Sequence, residues 1–140
     1  MAYWLIKTEP STWSWANQVA AGNKGTAWEG VRNFQAMRNL KQMKKGELAF
    51  FYHTGDEKQI VGIVEMIGEY RKDPSDKTGA FGLVDVRAVE PLPQPVTLAQ
   101  IRADKRLKDM VLVRFSRLSV QPVTADEWKT IASLAKRKAG

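Results

Sequence analysis

The sequence of 140 residues contains no cysteine and a single histidine, His53. Without cysteine the chain can form neither a disulfide nor a thiolate nucleophile, and it cannot build a zinc site on sulfur. With one histidine, a metal centre would depend almost wholly on carboxylates. We therefore expect no metal, no cofactor and no metalloenzyme chemistry.

Long hydrophobic runs are missing as well. The two longest, LAFFY near residue 50 and IVGIVEMIG from residue 60, have the length of strands, and Glu65 interrupts the second. Neither is long enough to cross a bilayer, and the N-terminus lacks the basic start and apolar block of a secretion signal. The sequence thus predicts an intracellular, cytoplasmic protein without membrane contact, and it leaves association with a nucleoid or nucleus open.

Positive charge is concentrated at the two ends of the chain. Residues 1–45 hold seven Lys or Arg against two Glu, residues 46–100 hold five against nine acidic residues, and residues 101–140 hold ten against four. The net charge of +7 favours a polyanionic partner, because each phosphate that is neutralised releases counterions. A soluble basic domain with solvated lysines explains the composition equally well. We expect the basic ends to converge on one face.

Strand and helix signals along the chain predict a single compact α+β domain, residues 1–140. Strands are predicted at residues 2–7, ELAFFYH, KQIVGIVEMIGEY, FGLVDVRAVE and MVLVRF, whereas PLPQPV is too rich in proline for an interior strand. TGDE would join the second and third of these strands as a hairpin. Helices are predicted to begin after the caps Ser14, Asn33, Thr97 and Thr124, the last forming a capping box with Glu127. Strands of this length predict a curved, mainly antiparallel sheet of five or six strands, partly closed into a barrel and flanked by helices.

Several aromatic and basic residues could form a binding site. Trp28 stands between two glycines, near Arg32 and Asn33, a composition suited to stacking a planar ring, although large aromatics more often fill cores. Trp13 and Trp15 flank a helix start, where one can pack and leave the other exposed. Arg114 and Arg117 could meet phosphates or ring faces, or they could simply be solvated or cap a helix.

His53 is the residue whose ordinary pKa lies nearest neutrality. No motif of nucleophilic catalysis, no glycine-rich phosphate loop and no metal-binding histidine pair accompanies it. A single histidine at the end of an apolar strand is more often a hydrogen-bonded structural residue than a base. We expect His53 to hydrogen-bond a ligand and assign no catalytic residue.

Five stretches, in order along the chain, resemble the EVE domain family: WLIKTEP at 4–10, WEGVRN at 28–33, FFYHT at 50–54, IVGIVE at 60–65 and RLSVQPV at 117–123. The resemblance extends over nearly the whole chain and includes the thymocyte nuclear protein family. It implies a PUA-like pseudo-barrel related to YTH and ASCH domains. It also implies binding of RNA or DNA, with recognition of a modified base such as methylated cytosine in an aromatic-lined pocket.

The resemblance implies that the family's pocket is formed in this chain by Lys7, Thr8, Glu9, Trp28, Arg32, Asn33, Tyr52, His53, Arg117 and Ser119. Arg114, Lys24 and Arg38 are expected to contact the nucleic-acid backbone. A carboxylate, a hydroxyl and an amide would satisfy the edge of a flipped base, an aromatic ring would cover its face, and an extra methyl would add apolar area. The alternative for Lys7 to Glu9 is a surface cluster that merely ends a strand.

The sequence departs from the family in three places. It has only DPSDKTGA where many members carry a longer insertion, Phe81 stands where tryptophan is usual, and RFSR replaces a more polar run before RLSV.

Three functions are compatible with these patterns. The first is a monomeric, non-catalytic module that binds nucleic acid carrying a modified base. The second is an enzyme of the same superfamily, a nuclease or base hydrolase, in which Glu9 or His53 transfers a proton near Lys7. The third is an interaction domain whose pocket takes a small metabolite.

Overall fold

The computed structural model describes residues 2–136 of the chain. Its strands are β1 (Tyr3–Thr8), β2 (Thr26–Trp28), β3 (Leu48–His53), β4 (Gln59–Met66), β5 (Arg71–Lys72), β6 (Gly82–Thr97) and β7 (Val120–Val123). Its α-helices are α1 (Trp15–Ala20), α2 (Phe34–Gln42), α3 (Leu98–Ala103), α4 (Val111–Arg114) and α5 (Ala125–Lys136). Short 3₁₀ turns follow α1 and α3. Among these helices, none is long and apolar enough to span a membrane.

Within the described residues, six strands form one curved sheet in the order β2-β6-β4-β3-β1-β7, and the two-residue β5 pairs with β6. Neighbouring strands are antiparallel except β1 and β3, which run parallel. The sheet curls into a half-barrel with helices around it. The expected PUA-like architecture, a mainly antiparallel sheet of five or six strands with flanking helices, is therefore confirmed.

Side chains alternate between two hydrophobic clusters, as strand geometry requires. On β1, Trp4 and Ile6 belong to a first cluster that includes Trp28, while Leu5 belongs to a second. The second cluster is closed by α3 and α5, where Trp128 stacks on Phe50 with ring centroids 3.8 Å apart. The first cluster lies under the candidate site described below.

The helix starts are where the capping residues predict them. Ser14, Asn33 and Thr97 each accept a hydrogen bond from the backbone N–H three residues later. Thr124 and Glu127 exchange hydrogen bonds as a capping box at the start of α5. These local predictions are confirmed because a cap depends only on residues within one turn of it.

The run MVLVRF is helical, so the strand predicted there is wrong. Val111–Arg114 form α4, in which Met110 O accepts hydrogen bonds from the N–H groups of Val113 and Arg114. Met110 and Leu112 are buried in the second cluster. A short apolar run buries equally well as a strand or as a single helical turn, and periodicity does not distinguish the two.

The proline-rich stretch lies inside a strand, which also differs from the prediction. β6 continues to Thr97, and its prolines are accommodated by an irregular pairing with β4: Gly62 pairs with Pro91 and Ile60 with Val96. The four residues between Pro91 and Val96 therefore have no direct partner in β4. Proline is tolerated there because it has no N–H to donate to a ladder.

Two aromatic residues also differ from their predicted settings. The glycines on either side of Trp28 predict a loop, but Trp28 ends β2, which pairs with β6. The helical spacing of Phe34 with Met37 and Leu40 predicts that Phe34 lies on the buried face of α2, but its side chain is 57% exposed and contacts Phe81. As the first residue of α2, Phe34 lies at the helix end, where the core no longer covers it.

Candidate nucleic-acid interface

An open concavity of about 500 Å³ lies beside the ends of β1 and β2. Two indoles, several hydroxyl groups and both signs of charge share its wall. We call it the indole cavity, and it is lined by Lys7, Thr8, Thr12, Trp13, Thr26, Ala27, Trp28, Glu29, Gly30, Val31, Arg32 and Ser119.

Asp73 fixes the loop that forms one wall of the indole cavity. Its buried carboxylate accepts hydrogen bonds from Gly30 N (2.9 Å), Arg32 Nη1 (3.2 Å) and both the N–H and hydroxyl of Ser75. Burial alone would raise the pKa of Asp73, but these donors hold it well below its usual range. Gly30 has a φ of +82°, a conformation that glycine adopts without strain. The wall after β2 is thus held by a residue more than 40 positions away.

Arg32 occupies the rim of the indole cavity in a fixed position. Besides Asp73, its guanidinium donates to Ser75 Oγ at 3.1 Å and lies 5.8 Å from the centre of the Phe81 ring. Phe81 in turn contacts the exposed ring of Phe34, with centroids 4.9 Å apart. The guanidinium and the two rings form a partly exposed aromatic and cationic rim.

The end of β1 supplies the opposite wall. The hydroxyl of Thr8 donates to Trp13 O at 2.8 Å, and the N–H of Lys7 donates to Ser119 O at 2.9 Å. The ammonium of Lys7 donates to Ser116 O at 2.5 Å and lies 5.7 Å from the centre of the Tyr52 ring. Burial lowers the pKa of Lys7 to about 8, and among residues 2–136 it has no ion-pair partner.

The two indoles of the cavity differ in their surroundings. Trp28 is only 8% exposed, belongs to the first hydrophobic cluster and meets Phe51 edge to face. Trp13 is half-buried, and its Nε1–H donates to Gln18 Oε1 at 2.9 Å. Both indoles therefore serve the core and the wall of the cavity, but Trp28 is buried within the first cluster and Trp13 only packs against it.

Both tryptophans at the start of α1 pack against the first hydrophobic cluster, and Trp13 also lines the indole cavity. The ring of Trp15 lies against Gly62, where a β-carbon would come within 2.5 Å of it, and it meets Phe51 edge to face. Trp15 contacts β-strands and is not a staple on its own helix. The sequence left the choice between Trp13 and Trp15 open; in the structure Trp15 packs on Gly62 of β4, and Trp13 lies in the cavity lining.

Of the predicted pocket residues, the indole cavity brings together Lys7, Thr8, Trp28, Arg32 and Ser119. Glu9, Tyr52 and His53 lie outside its lining. The carboxylate of Glu9 accepts from Ser11 and faces Gly55, and Tyr52 is buried in the second cluster, where burial raises the pKa of its phenol. Sequence reasoning did not include Thr12, Trp13, Thr26 and Glu29 in the pocket. Two of these carried a signal in the sequence: Trp13 stands beside a helix start, and Glu29 belongs to the WEGVRN motif.

His53 uses both ring nitrogens inside the protein. Its Nε2 accepts the N–H of Trp15 at 3.0 Å, so the proton resides on Nδ1, which donates to Glu57 Oε1 at 2.9 Å. The hydrogen bond from His53 also lowers the pKa of Glu57. His53 ties α1 to the β3–β4 hairpin.

A second concavity of about 420 Å³ adjoins the first. It is formed by residues 114–118 together with Asn33 and Gln35, and we call it the arginine groove. Two predicted site residues, Arg117 and Asn33, and the predicted backbone contact Arg114 lie here. Asn33 also caps α2 through Ala36 N. The arginine groove thus gathers predicted residues that the indole cavity does not.

The remaining predicted backbone contacts lie outside both concavities. Lys24 ends the 3₁₀ turn after α1, and Arg38 lies on the exposed side of α2 near Gln35. Over the described range 2–136, no group of three His, Cys, Asp or Glu side chains is arranged to hold a metal ion.

Comparison with known proteins places this architecture in one family. The profile of the EVE domain matches residues 2–134, and the chain belongs to the EVE domain family. The chain is 34% identical to thymocyte nuclear protein 1 of Gallus gallus, over 97% of this chain and 69% of that protein.

Solved structures show the same similarity. Rpa0253 from Rhodopseudomonas palustris is 52% identical with a TM-score of 0.92, covering 96% of this chain and 93% of that one. The human THYN1 protein, in complex with DNA containing 5-methylcytosine, is 31% identical with a TM-score of 0.92, covering 99% of this chain and all of that one. The resemblance found in the five sequence motifs is therefore confirmed.

Proposed function

We propose that this chain is a non-catalytic module that binds nucleic acid carrying a modified base, for example methylated cytosine, and takes that base into the indole cavity. The observation that carries the proposal is the pairing of two indoles, Trp13 and Trp28, with a polar rim in one open cavity. A volume of about 500 Å³ lies within the range of small-ligand pockets, roughly 300–1,000 Å³.

The chemistry of the wall suits a flipped base. The apolar indole surface can cover the face of a base and the additional methyl group. The hydroxyls of Thr8 and Ser119, the carboxylate of Glu29 and the cations of Lys7 and Arg32 provide donors and acceptors for its edge. The similarity to a human protein in complex with DNA containing 5-methylcytosine supports the same class of ligand.

The contacts of the candidate acid–base residues favour binding without turnover. Proton transfer requires a group within hydrogen-bond reach of the ligand. Both nitrogens of His53 are already engaged with Trp15 and Glu57, and Glu9 faces Ser11 and Gly55 outside the cavity lining. The proposal therefore assigns no catalytic residue.

The test is a titration with matched oligonucleotides that differ by one methyl group on a central cytosine, each prepared as single-stranded DNA, duplex DNA and RNA. We expect tighter binding of the methylated member of at least one pair and a steep loss of affinity with salt. Equal affinity for the methylated and unmethylated members of every pair would overturn the proposal that the protein recognises methylated cytosine. Products that accumulate with time would overturn the absence of catalysis, and salt-independent binding of a small metabolite would favour an interaction domain.

A further inference from the structure

The arginine groove carries positive charge that the protein itself does not neutralise. Within residues 2–136, Arg117 has no ion-pair partner. Arg114 has one, Asp109, at 4.0 Å, and both side chains are largely exposed. An exposed pair at this distance contributes little, so both guanidinium groups remain available to an anion. Guanidinium groups bind phosphate through paired N–H donors.

An unpacked aromatic ring lies between the two arginines. Phe115 is 60% exposed, one of the few large apolar side chains that the fold leaves in solvent. An exposed ring beside cations is the combination that stacks nucleotide bases while holding their phosphates. Phosphate binding alone would not require the ring, and an apolar protein contact would not require two exposed arginines.

The groove is held in place from beneath. The side-chain amide of the buried Gln121 donates to Phe115 O at 3.2 Å and to Leu118 O at 2.8 Å. The ammonium of Lys7 donates to Ser116 O from the side of β1. Three anchored carbonyls in four residues fix the loop that presents the ring and the arginines, which reduces the entropy that a ligand would lose in ordering it.

The same segment joins the groove to the indole cavity. Lys7 contacts Ser116 with its ammonium and Ser119, a residue of the cavity lining, with its backbone N–H. Ser119 follows Ser116 by three positions, a span of at most about 11 Å. Successive nucleotides in a stacked strand are about 3.4 Å apart, so this span corresponds to no more than about three nucleotides.

We propose that the arginine groove is a second subsite, which binds a nucleotide adjacent in sequence to the modified base. Arg114 and Arg117 contact its phosphate, and Phe115 stacks on its base. This proposal rests on the proposed function, because the indole cavity must hold the modified base for the groove to receive its neighbour.

The test measures how affinity depends on the flanking nucleotides. The ligands are 5-methyl-2′-deoxycytidine, the two dinucleotides that extend it on the 5′ or the 3′ side, and the trinucleotide that extends it on both. We expect wild type to gain about tenfold or more in affinity from one of the two flanking nucleotides. In Phe115→Ala that gain should largely disappear, while binding of the nucleoside is unchanged. Arg114→Gln and Arg117→Gln should each reduce the salt slope for longer single strands by about 0.7.

Two matched controls lie away from the groove. Val19→Ala removes another exposed apolar side chain, on α1, and Lys129→Gln removes an exposed cation on α5. Both should keep the full gain from the flanking nucleotide. Thermal melting should show the three groove variants as stable as wild type, because the substituted side chains are exposed.

The outcomes separate the two proposals. If wild type does not bind the methylated nucleoside or any of its extensions, methylated cytosine is overturned as the ligand of the indole cavity, and the subsite fails with it. If wild type binds and gains affinity from a flanking nucleotide, but Phe115→Ala and both arginine variants keep that gain, the subsite is overturned and the indole cavity stands. The subsite is likewise overturned if wild type binds the nucleoside as tightly as the trinucleotide.

Discussion

The guanidinium of Arg32 lies 3.2 Å from the buried carboxylate of Asp73, so that two loops 41 positions apart share one ion pair at the rim of the indole cavity. The same carboxylate accepts the N–H of Gly30, and it therefore fixes the backbone of the cavity wall as well as its cation. Asp73 thus shapes the indole cavity although it is not part of the cavity lining.

Asp73→Asn should loosen that wall. An amide presents an NH₂ group where the carboxylate accepts donors from three residues, so we expect the free energy of unfolding to fall by about 1–3 kcal/mol. Affinity for a methylated oligonucleotide should fall too, because Gly30 and Arg32 lose their anchor. Asp76→Asn is the control, since the side chain of Asp76 accepts hydrogen bonds from Thr78 and Phe81 in its own loop. Chemical denaturation and titration of both variants check the prediction, which fails if the two behave alike.

Asp73 should also make the fold sensitive to acid. Its pKa in the folded protein lies below the ordinary value of 3.8, so the folded state binds fewer protons than the unfolded state in that range. The stabilisation is complete well above pH 3.8 and is lost as the pH falls below it. Between pH 2 and 6, the free energy of unfolding of wild type should fall more steeply at the acidic end than that of Asp73→Asn. Parallel curves of unfolding free energy against pH would contradict this assignment.

Trp28 and Trp13 should respond differently to truncation. Because Trp28 is buried in the core, Trp28→Ala should lower the free energy of unfolding by about 3–5 kcal/mol through the cavity it leaves. Trp13→Ala should cost about 1–3 kcal/mol in base binding, with a smaller effect on stability, because its ring is half-buried. Thermal melting and oligonucleotide titration on the same preparations separate the two effects. A Trp13→Ala protein that binds like wild type would remove Trp13 from the site.

Binding should weaken as the pH rises through about 8. Burial lowers the pKa of Lys7 to about 8, so its ammonium loses a proton there in the free protein, and with it an attraction for nucleic acid. The stability of the fold should change in the opposite direction. A lowered lysine pKa penalises the folded state at neutral pH, and that penalty is relieved as the pH rises from about 8 to the ordinary value of 10.5. Affinities from pH 6.5 to 9.5 should fall for wild type and for Lys129→Met, but much less for Lys7→Met. A wild-type affinity that is constant over this range would exclude the effect of Lys7.

His53→Ala should act through structure. The variant removes the acceptor of the Trp15 N–H and the donor to Glu57, so we expect about 1–3 kcal/mol of lost stability. Binding should change only as far as α1 moves, and no product should form from an oligonucleotide with either protein. A substrate that wild type converts and His53→Ala leaves intact would overturn the binding-module proposal.

Much of the fold could be predicted from local patterns. The caps at Ser14, Asn33, Thr97 and Thr124 were found because each helix start is decided within three or four residues. The hairpin of β3 and β4 was found because alternation and a short turn specify antiparallel neighbours. The run at Val111–Arg114 was predicted incorrectly because an apolar segment of that length has no distinct period.

The candidate site could be predicted only in part. The motifs identified Lys7, Thr8, Trp28, Arg32 and Ser119, which the indole cavity brings together, but they did not separate that cavity from the adjoining arginine groove. Trp13 was placed beside a helix start with no reason to prefer it over Trp15. In the structure the ring of Trp15 packs on Gly62 of β4, and Trp13 lies in the cavity lining.

Local sequence patterns specify the helix starts, the alternation that divides β1 between two clusters, the uneven distribution of charge and membership of the EVE domain family. Only the contacts of the folded chain show which side chains share a cavity and which are hydrogen-bonded within the protein, as His53 is to Trp15 and Glu57. The physical reason is the range of the interactions. Caps and strand alternation depend on neighbours a few residues away, whereas the cavity depends on the parallel pairing of β1 with β3 and the contact of Asp73 with Gly30 and Arg32, which join residues more than 40 positions apart.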